Sequence, residues 1–147
     1  MPEEKLVGGH RRIRPFNTAD TYPEQRLGND LCQAVVAGRT IYLRGQVAQD
    51  LESRENVAIG DAGGQAAKVM DNIELLLGEC GARVEHIVSC DVYLTDIRHR
   101  EAVYLVLGER MRGVHPVFTG LVVQALARPE WLVEVTAVAV LPEGEGA

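Results

Sequence analysis

The sequence of 147 residues has few cysteines, few aromatic residues and no long apolar run. Its three cysteines, Cys32, Cys80 and Cys90, are odd in number and widely spaced, so they match neither a disulfide framework nor a zinc site. We therefore expect a reducing, cytoplasmic location. No stretch of 18 apolar residues could cross a membrane, and the first residues lack the apolar segment of a signal peptide. A membrane protein and an exported protein are both disfavoured.

Basic residues are also in short supply. Fifteen Lys and Arg stand against twenty-one Asp and Glu, giving a formal net charge of -6. A nucleic-acid partner is therefore not expected, because neutralising phosphates needs a surplus of positive charge on some face. The one dense basic stretch, from His10 to Arg14, is more typical of a solvated tail.

The remaining composition, 46% hydrophobic and 24% charged, is that of a folded protein, and the length suits one domain. Residues 1–30 show no hydrophobic period and contain several Pro and Gly, which predicts an N-terminal arm followed by a single domain over residues 31–147. The predicted elements, in chain order, are strands at 33–37 and 40–43, a helix over 66–80, a strand over 87–94, a helix from Thr95 and Asp96 to about Arg112, and strands at 118–126 and 132–141.

Turn and cap residues support these boundaries. Gly38 and Arg39 suit a two-residue hairpin turn, Asp61 can cap the first long helix, and Gly81 can end it. We expect a loop containing Arg128 to join the last two strands as a long hairpin.

The order β-β-α-β-α-β-β predicts an α+β two-layer sandwich with both helices on one face of a mixed sheet. Valines make the last strands apolar on both sides, so the second face also needs cover: Val122, Val133, Val135, Val138 and Val140. Since no third layer remains in the chain, we expect self-association in a closed ring.

Two charged residues interrupt apolar strands. Glu134 lies within the run from Leu132 to Val138, where a carboxylate is costly to bury unless it is paired or needed for function. Arg44 interrupts the second strand just before Gly45 and could clamp a ligand carboxylate or pair with Glu134. The residues alone leave both roles open, with Arg44 and Arg128 as possible structural partners of Glu134.

Several segments together resemble the Rid (YjgF) family of reactive-intermediate imine and enamine deaminases. The likeness runs from about Leu31 to Val140 and depends on short matched stretches. These are Gln33-Ala34 before the hairpin, Gly45-Gln46 of a Ser-Gly-Gln segment, the strand Ile87 to Asp96 ending in Leu-Thr-Asp, and Val133-Glu134-Val135 followed by Ala137-Val138-Ala139, which matches a closing Val-Glu-Ile segment.

The resemblance implies a chorismate-mutase-like subunit, a homotrimer whose sheets form an inner barrel, and three clefts at the subunit interfaces. It also implies hydrolysis of 2-imino acids or their enamine tautomers without a metal or organic cofactor. In this family a Glu holds the attacking water, an Arg grips the substrate carboxylate, the Ser-Gly-Gln turn positions the substrate and a Tyr contributes to the cleft. Glu134, Gly45 and Gln46 match these positions, whereas Phe118 stands for the Arg and Leu31 for the Tyr.

This departure leaves three interpretations open. The chain is a Rid-like deaminase in which Arg44, or less favourably Arg128, replaces the missing clamp. Alternatively, it hydrolyses a less acidic imine that packs against Phe118 and Leu31, or it is a non-catalytic trimer that binds a small ligand or a partner. The predicted cleft residues are Leu31, Arg44, Gly45, Gln46, Phe118, Thr119 and Glu134.

Overall fold

The computed structural model describes residues 3–144, and within them β-rich segments and turn residues form seven strands and three α-helices. The strands are β1 (Glu4–Val7), β2 (His10–Asn17), β3 (Asp30–Ala37), β4 (Thr40–Gln46), β5 (Ile87–Leu94), β6 (Val117–Val122) and β7 (Val133–Val140), and the helices are α1 (Thr18–Thr21), α2 (Ala62–Glu79) and α3 (Arg100–Arg110). Short 3₁₀ turns lie at Pro23–Gln25, Val84–His86 and Ile97–His99.

The seven strands form one mixed sheet in the order β1-β2-β3-β4-β7-β5-β6. All neighbours pair antiparallel except β5 and β6, which run parallel because α3 carries the chain back between them. The predicted mixed α+β fold is confirmed. The predicted hairpin of the last two strands is wrong, because β5 lies between β6 and β7. In its central position, β7 buries Val133, Val135, Ala137 and Ala139.

The N-terminal segment differs from the expected arm, since residues 4–17 form a β-hairpin that extends the sheet. Its turn residues Gly8 and Gly9 both have positive φ, 62° and 83°, as a two-residue type I′ turn requires. Strand β2 pairs with β3, and Ile13 is only 1% exposed. Ile13 thus anchors the segment in the core, which the surrounding arginines did not lead us to expect. Residues 1–2 of the expected arm and 145–147 of the expected domain lie outside the described residues.

Helix α2 begins and ends as its sequence predicts. The Asp61 carboxylate accepts a hydrogen bond from the Gly64 N–H at 3.0 Å, and Gly81 follows the helix with a φ of 82°. The residues at helical spacing are fully buried: Ala66, Val69, Met70, Ile73, Leu76 and Leu77. Each of the larger side chains contributes roughly 1.5–3 kcal/mol through burial. This stripe fixes α2 against one face of the sheet.

The opposite face of the sheet, here called the open face, has no helix over it in the part of the chain that the structure describes. It carries Glu134, Thr136, Val138 and Val140 from β7, which are half-buried and alternate with the buried residues of the strand. Tyr42, in register with Val138, is 51% exposed. A register shift between Ile87 and Ser89 also turns Val88 outward, although the sequence pattern aligned it with Cys90.

Candidate functional site

A bulge in β4 brings its backbone against Glu134. Leu43 pairs with Ala137 and Gln46 with Val135, so Arg44 and Gly45 together face Thr136 alone. The Glu134 side chain lies directly over Gly45. A Cβ at position 45 would overlap Oε2 of Glu134 and lie 2.9 Å from its Cδ. Glycine is therefore needed here because the carboxylate occupies the space of a side chain.

The Glu134 carboxylate is half-buried, and within residues 3–144 it has no hydrogen-bond or ion-pair partner. Burial raises its pKa above the ordinary value of 4.5, and the charge of Arg44 opposes this in part. A carboxylate with a raised pKa and unused acceptor oxygens can take a proton from a bound water. The ion pairs with Arg44 and Arg128 that the sequence left open are not formed, so both oxygens of the Glu134 carboxylate remain available as hydrogen-bond acceptors.

Arg44 lies in the bulge, and no carboxylate of the described chain pairs with its guanidinium. Its Cζ lies 5.2 Å from the centroid of the Phe16 ring, a cation–π contact. Its charge still acts on Glu134. The arrangement leaves the donors of Arg44 available to an anionic ligand near the Glu134 carboxylate.

Gln46 has a different place from the one expected of a substrate contact. It is 3% exposed, and its Nε2 donates to Oε1 of Gln33 at 3.0 Å and to the Arg44 carbonyl at 3.1 Å. These bonds hold the bulge in shape. Gln46 therefore positions Arg44 and Gly45 and has no donor hydrogen left for a ligand.

Leu31 and Phe16 form the apolar wall beside Arg44. They are opposite each other in register on β3 and β2, and both line a groove of about 780 Å³ that Arg44 also lines. Sequence reasoning missed Phe16 because it lies in the segment expected as an arm. The Gly8-Gly9 pair between two short β-rich runs was the available signal of a hairpin there.

Phe118 and Thr119 are not brought to this place within one chain. Both lie on β6, which β5 separates from β7. Phe118 packs on the helix-covered side, with its ring 5.9 Å from that of Tyr104 at an angle of 77°. Thr119 is exposed and in register with Asp91 of β5. The structure thus gathers Leu31, Arg44, Gly45, Gln46 and Glu134 around the bulge and leaves the β6 pair apart.

Arg128, the other candidate for the missing clamp, is engaged elsewhere. It pairs with Glu24, its Nη1 lies 3.7 Å from Oε1 of Glu130, and its Cζ lies 5.8 Å from the Trp131 ring centroid. Arg44 is therefore the better placed of the two cations.

The remaining sequence candidates contribute no reactive group. All three cysteines are free, and burial raises the pKa of Cys80 to about 11 and that of Cys90 to about 12, which keeps both as thiols. Residues 3–144 contain no cluster of three or more His, Cys, Asp or Glu able to hold a metal ion. None of their helices is long and apolar enough to span a membrane.

Comparisons with known proteins agree with this architecture. The profile of the family described as endoribonuclease L-PSP matches residues 24–141. The chain is 36% identical over 106 residues to protein DfrA of Myxococcus xanthus. The match covers 72% of this chain and 79% of that protein.

Two solved structures are similar in fold. A putative endoribonuclease from Thermotoga maritima has a TM-score of 0.73 and 25% identity, covering 78% of this chain and 88% of its own. RidA from an Antarctic Psychrobacter species has a TM-score of 0.70 and 27% identity, covering 75% of this chain and 87% of its own. The β1–β2 hairpin lies outside the range that the family profile matches.

Proposed function

We propose, since the chain belongs to the endoribonuclease L-PSP family of YjgF and Rid proteins, that it hydrolyses reactive imines or enamines to a carbonyl product and ammonia. The observation that carries the proposal is the Glu134 carboxylate, which is half-buried on the open face and has no partner in the described chain. A structural carboxylate in a strand would be paired, because an unpaired buried charge costs several kcal/mol.

The reaction requires a water molecule and proton transfer. Water attacks the imine carbon while Glu134 accepts one of its protons, the electron pair of the C=N bond moves to the nitrogen, and Glu134 passes the proton to that nitrogen. Glu134 then takes the hydroxyl proton of the resulting carbinolamine and gives it to the amino nitrogen as the C=O bond forms and the C–N bond breaks, so that ammonia leaves and the carboxylate is regenerated. An enamine enters the same path after protonation at carbon.

Arg44 supplies the positive charge that the family's usual arginine position lacks here. A guanidinium beside Gly45 can hold the carboxylate of a 2-imino acid while the imine carbon faces Glu134. The Gly45 backbone positions the substrate, and Gln46 maintains the bulge.

Self-association supports this role by covering the open face. Tyr42 and Val117 are 51% and 69% exposed there, an apolar surface that a monomer would leave in water. We propose a homotrimer with clefts between subunits, in which Thr119 on β6 reaches the site of a neighbouring subunit while Phe118 stays packed against Tyr104. The three free thiols support a reducing, cytoplasmic location.

A non-catalytic trimer that binds a small ligand is the second candidate. Its support is Phe118, an apolar residue in contact with Tyr104 where the resemblance calls for a clamping Arg. An RNA substrate, which the descriptive name of the family suggests, is disfavoured by the net charge of -6.

The deciding experiment measures ammonia and keto product from imines that an amino-acid oxidase generates in situ, over acidic and apolar amino acids. We expect wild type to exceed the uncatalysed rate and Glu134→Gln to lose at least a hundredfold of that acceleration, within the usual contribution of a general base. Glu109→Gln, a change at an exposed helical carboxylate, is the matched control and should retain full activity. If wild type never exceeds the uncatalysed rate on any imine, the non-catalytic candidate replaces the deaminase.

The same variants give a pH test. The base must be ionised, so activity should fall as pH is lowered through the raised pKa of Glu134. Folding raises this pKa, so the folded state holds the proton more tightly than the unfolded chain, and stability relative to Glu134→Gln declines as pH rises from about 4.5 through the folded pKa. Denaturation curves of both proteins between pH 4 and 8 check this sign. An unchanged difference across the range would contradict it.

A further inference from the structure

The groove beside Arg44 is built mainly by the N-terminal hairpin, which the family match does not include. Its volume is about 780 Å³. Seven of its eleven lining residues come from β1 and β2 or the residue just before them, ahead of the matched range 24–141: Glu3, Lys5, Val7, Arg12, Pro15, Phe16 and Asn17. The hairpin thus adds a surface of its own beside the site of the proposed reaction.

Strand β2 carries three arginines with different surroundings. Arg11 donates to both carboxylate oxygens of Glu4, and Arg14 donates to both of Glu79. Arg12 lines the groove, donates from Nη2 to the Val7 carbonyl at 3.2 Å, and has a buried Nε without a partner. Its Nη1 has no partner in the described chain, so the guanidinium keeps donor hydrogens for an acceptor in the groove.

Arg44 lines the same groove and likewise lacks a carboxylate partner. Glu3 and Asp30 also line it, but neither forms an ion pair with the two arginines, and Asp30 accepts from the side-chain amide of Asn17 at 2.8 Å. Two guanidinium groups in one groove, both with free donors, form a place for a negative charge.

The apolar side of the groove is equally defined. The Phe16 ring lies under the Arg44 guanidinium and is held by an edge contact with Tyr22, with centroids 6.3 Å apart. Leu31, 43% exposed, stands beside it on β3. A ligand with a hydrocarbon body would cover these two side chains while its anionic end met the arginines.

We infer that this groove binds a small organic carboxylate with an apolar body, whose charge Arg12 and Arg44 share and whose body packs on Phe16 and Leu31. The inference rests on the proposed function only in naming that ligand as substrate: an imino acid derived from an apolar amino acid. The N-terminal hairpin is then a specificity element that compensates for the missing family arginine.

The test measures binding without turnover. Titration calorimetry compares 4-methyl-2-oxopentanoate, the keto acid of an apolar amino acid, with its methyl ester, which has the same body and no charge. The proteins are wild type, Arg12→Met, Arg44→Met and, as control, Arg11→Met, where the replaced side chain keeps its apolar stem. Thermal melting checks that each variant retains its fold.

We expect the ester to bind at least tenfold more weakly than the acid to wild type. Arg12→Met and Arg44→Met should each weaken binding of the acid at least fivefold and leave binding of the ester unchanged. Arg11→Met should bind both compounds like wild type. Equal binding of acid and ester, no binding of the acid to folded wild type, or an Arg12→Met protein that binds like wild type would overturn the inference.

Failure of the two proposals can be told apart. If Glu134→Gln binds the acid normally but no imine is hydrolysed by wild type, the groove stands and the deaminase falls. If imines are hydrolysed and Arg12→Met leaves the KM for apolar imino acids unchanged, the deaminase stands and the groove assignment falls.

Discussion

At Gly45, the absence of a side chain decides where Glu134 can lie. A Cβ there would lie 2.9 Å from Cδ of Glu134, closer than Cβ atoms approach in folded proteins, and 3.1 Å from its Cγ, which is a tight contact. The carboxylate is the end of a flexible side chain, so it can move without unfolding the strand. The residue thus controls geometry more than stability.

We therefore expect Gly45→Ala to lower imine hydrolysis at least tenfold, since displacing a catalytic group by about 1 Å can cost about a hundredfold. Its free energy of unfolding should fall by less than about 2 kcal/mol, as judged by urea denaturation beside the activity assay. Gly78→Ala is the control: a Cβ there would meet nothing within 4 Å, so this helical position should gain roughly 0.5–1 kcal/mol and keep full activity. Full activity in Gly45→Ala would contradict the requirement for glycine at this position.

Single residues differ in how far the sequence could place them. Glu134 and Arg44 stand out because each interrupts an apolar strand, and the structure leaves both unpaired. Gln46 and Phe118 could not be placed, because the direction of a side chain depends on the bulge in β4 and on the pairing of β6. Alternation predicts faces only while the register is regular.

At the level of elements, the hairpin β1–β2 is fastened to the end of α2 by Arg14. This residue has a φ of 54°, unusual for a side chain with a Cβ, and its guanidinium meets both carboxylate oxygens of Glu79 at 2.7 and 2.8 Å. The two side chains are only 18% and 11% exposed. The ion pair thereby joins the edge of the sheet to the helix layer.

Arg14→Met should lower the free energy of unfolding by about 1.5–3 kcal/mol, because it leaves the poorly exposed Glu79 carboxylate without its hydrogen-bond donor. The measurement is urea denaturation at pH 7. Arg98→Met is the comparison, since Arg98 pairs with Asp96 while 85% exposed and should cost less than about 1 kcal/mol. Equal losses in the two variants would mean that Arg14 does not fasten the hairpin.

Elements with a regular period were predictable, and those with an irregular one were not. The hairpin β3–β4, helix α2 and, from Ser89 onward, strand β5 follow their sequence patterns closely. Strand β2 does not, because Pro15, three arginines and the left-handed Arg14 break its alternation. Its fit to the sheet depends on Ile13 and on pairing with β3, which local pattern cannot reveal.

For the molecule as a whole, the open face is an apolar surface that no helix of the described chain covers. Val138 lies near its centre, in register with Tyr42 on one side and Ser89 on the other. Helices cover the other face, so a second copy of the chain is the economical cover. The strand order could not be predicted from the sequence, because β7 pairs with β4 and β5, which are distant from it in the chain.

Val138→Glu should convert the proposed trimer to monomers, because it places a charge in the middle of the open face. Sedimentation should give three times the chain mass of 16.1 kDa for wild type and the single-chain mass for the variant. Leu75→Glu, at an exposed apolar position on α2, should leave the assembly intact. A wild-type monomer, or a variant of unchanged mass, would contradict the proposed trimer.

The central place of β7 also determines when the site can come into being. Strands β4 and β5 are made earlier in the chain, yet each pairs with the other only through Val133–Val140. During synthesis on the ribosome, both present open hydrogen-bonding edges until β7 emerges. Glu134 arrives with that closing strand, so a prematurely terminated chain has neither a complete sheet nor the Glu134 carboxylate beside Gly45. Truncated chains would therefore expose unpaired strand edges to quality-control proteases. Every chain in which β7 has paired with β4 and β5 also places Glu134 beside Gly45.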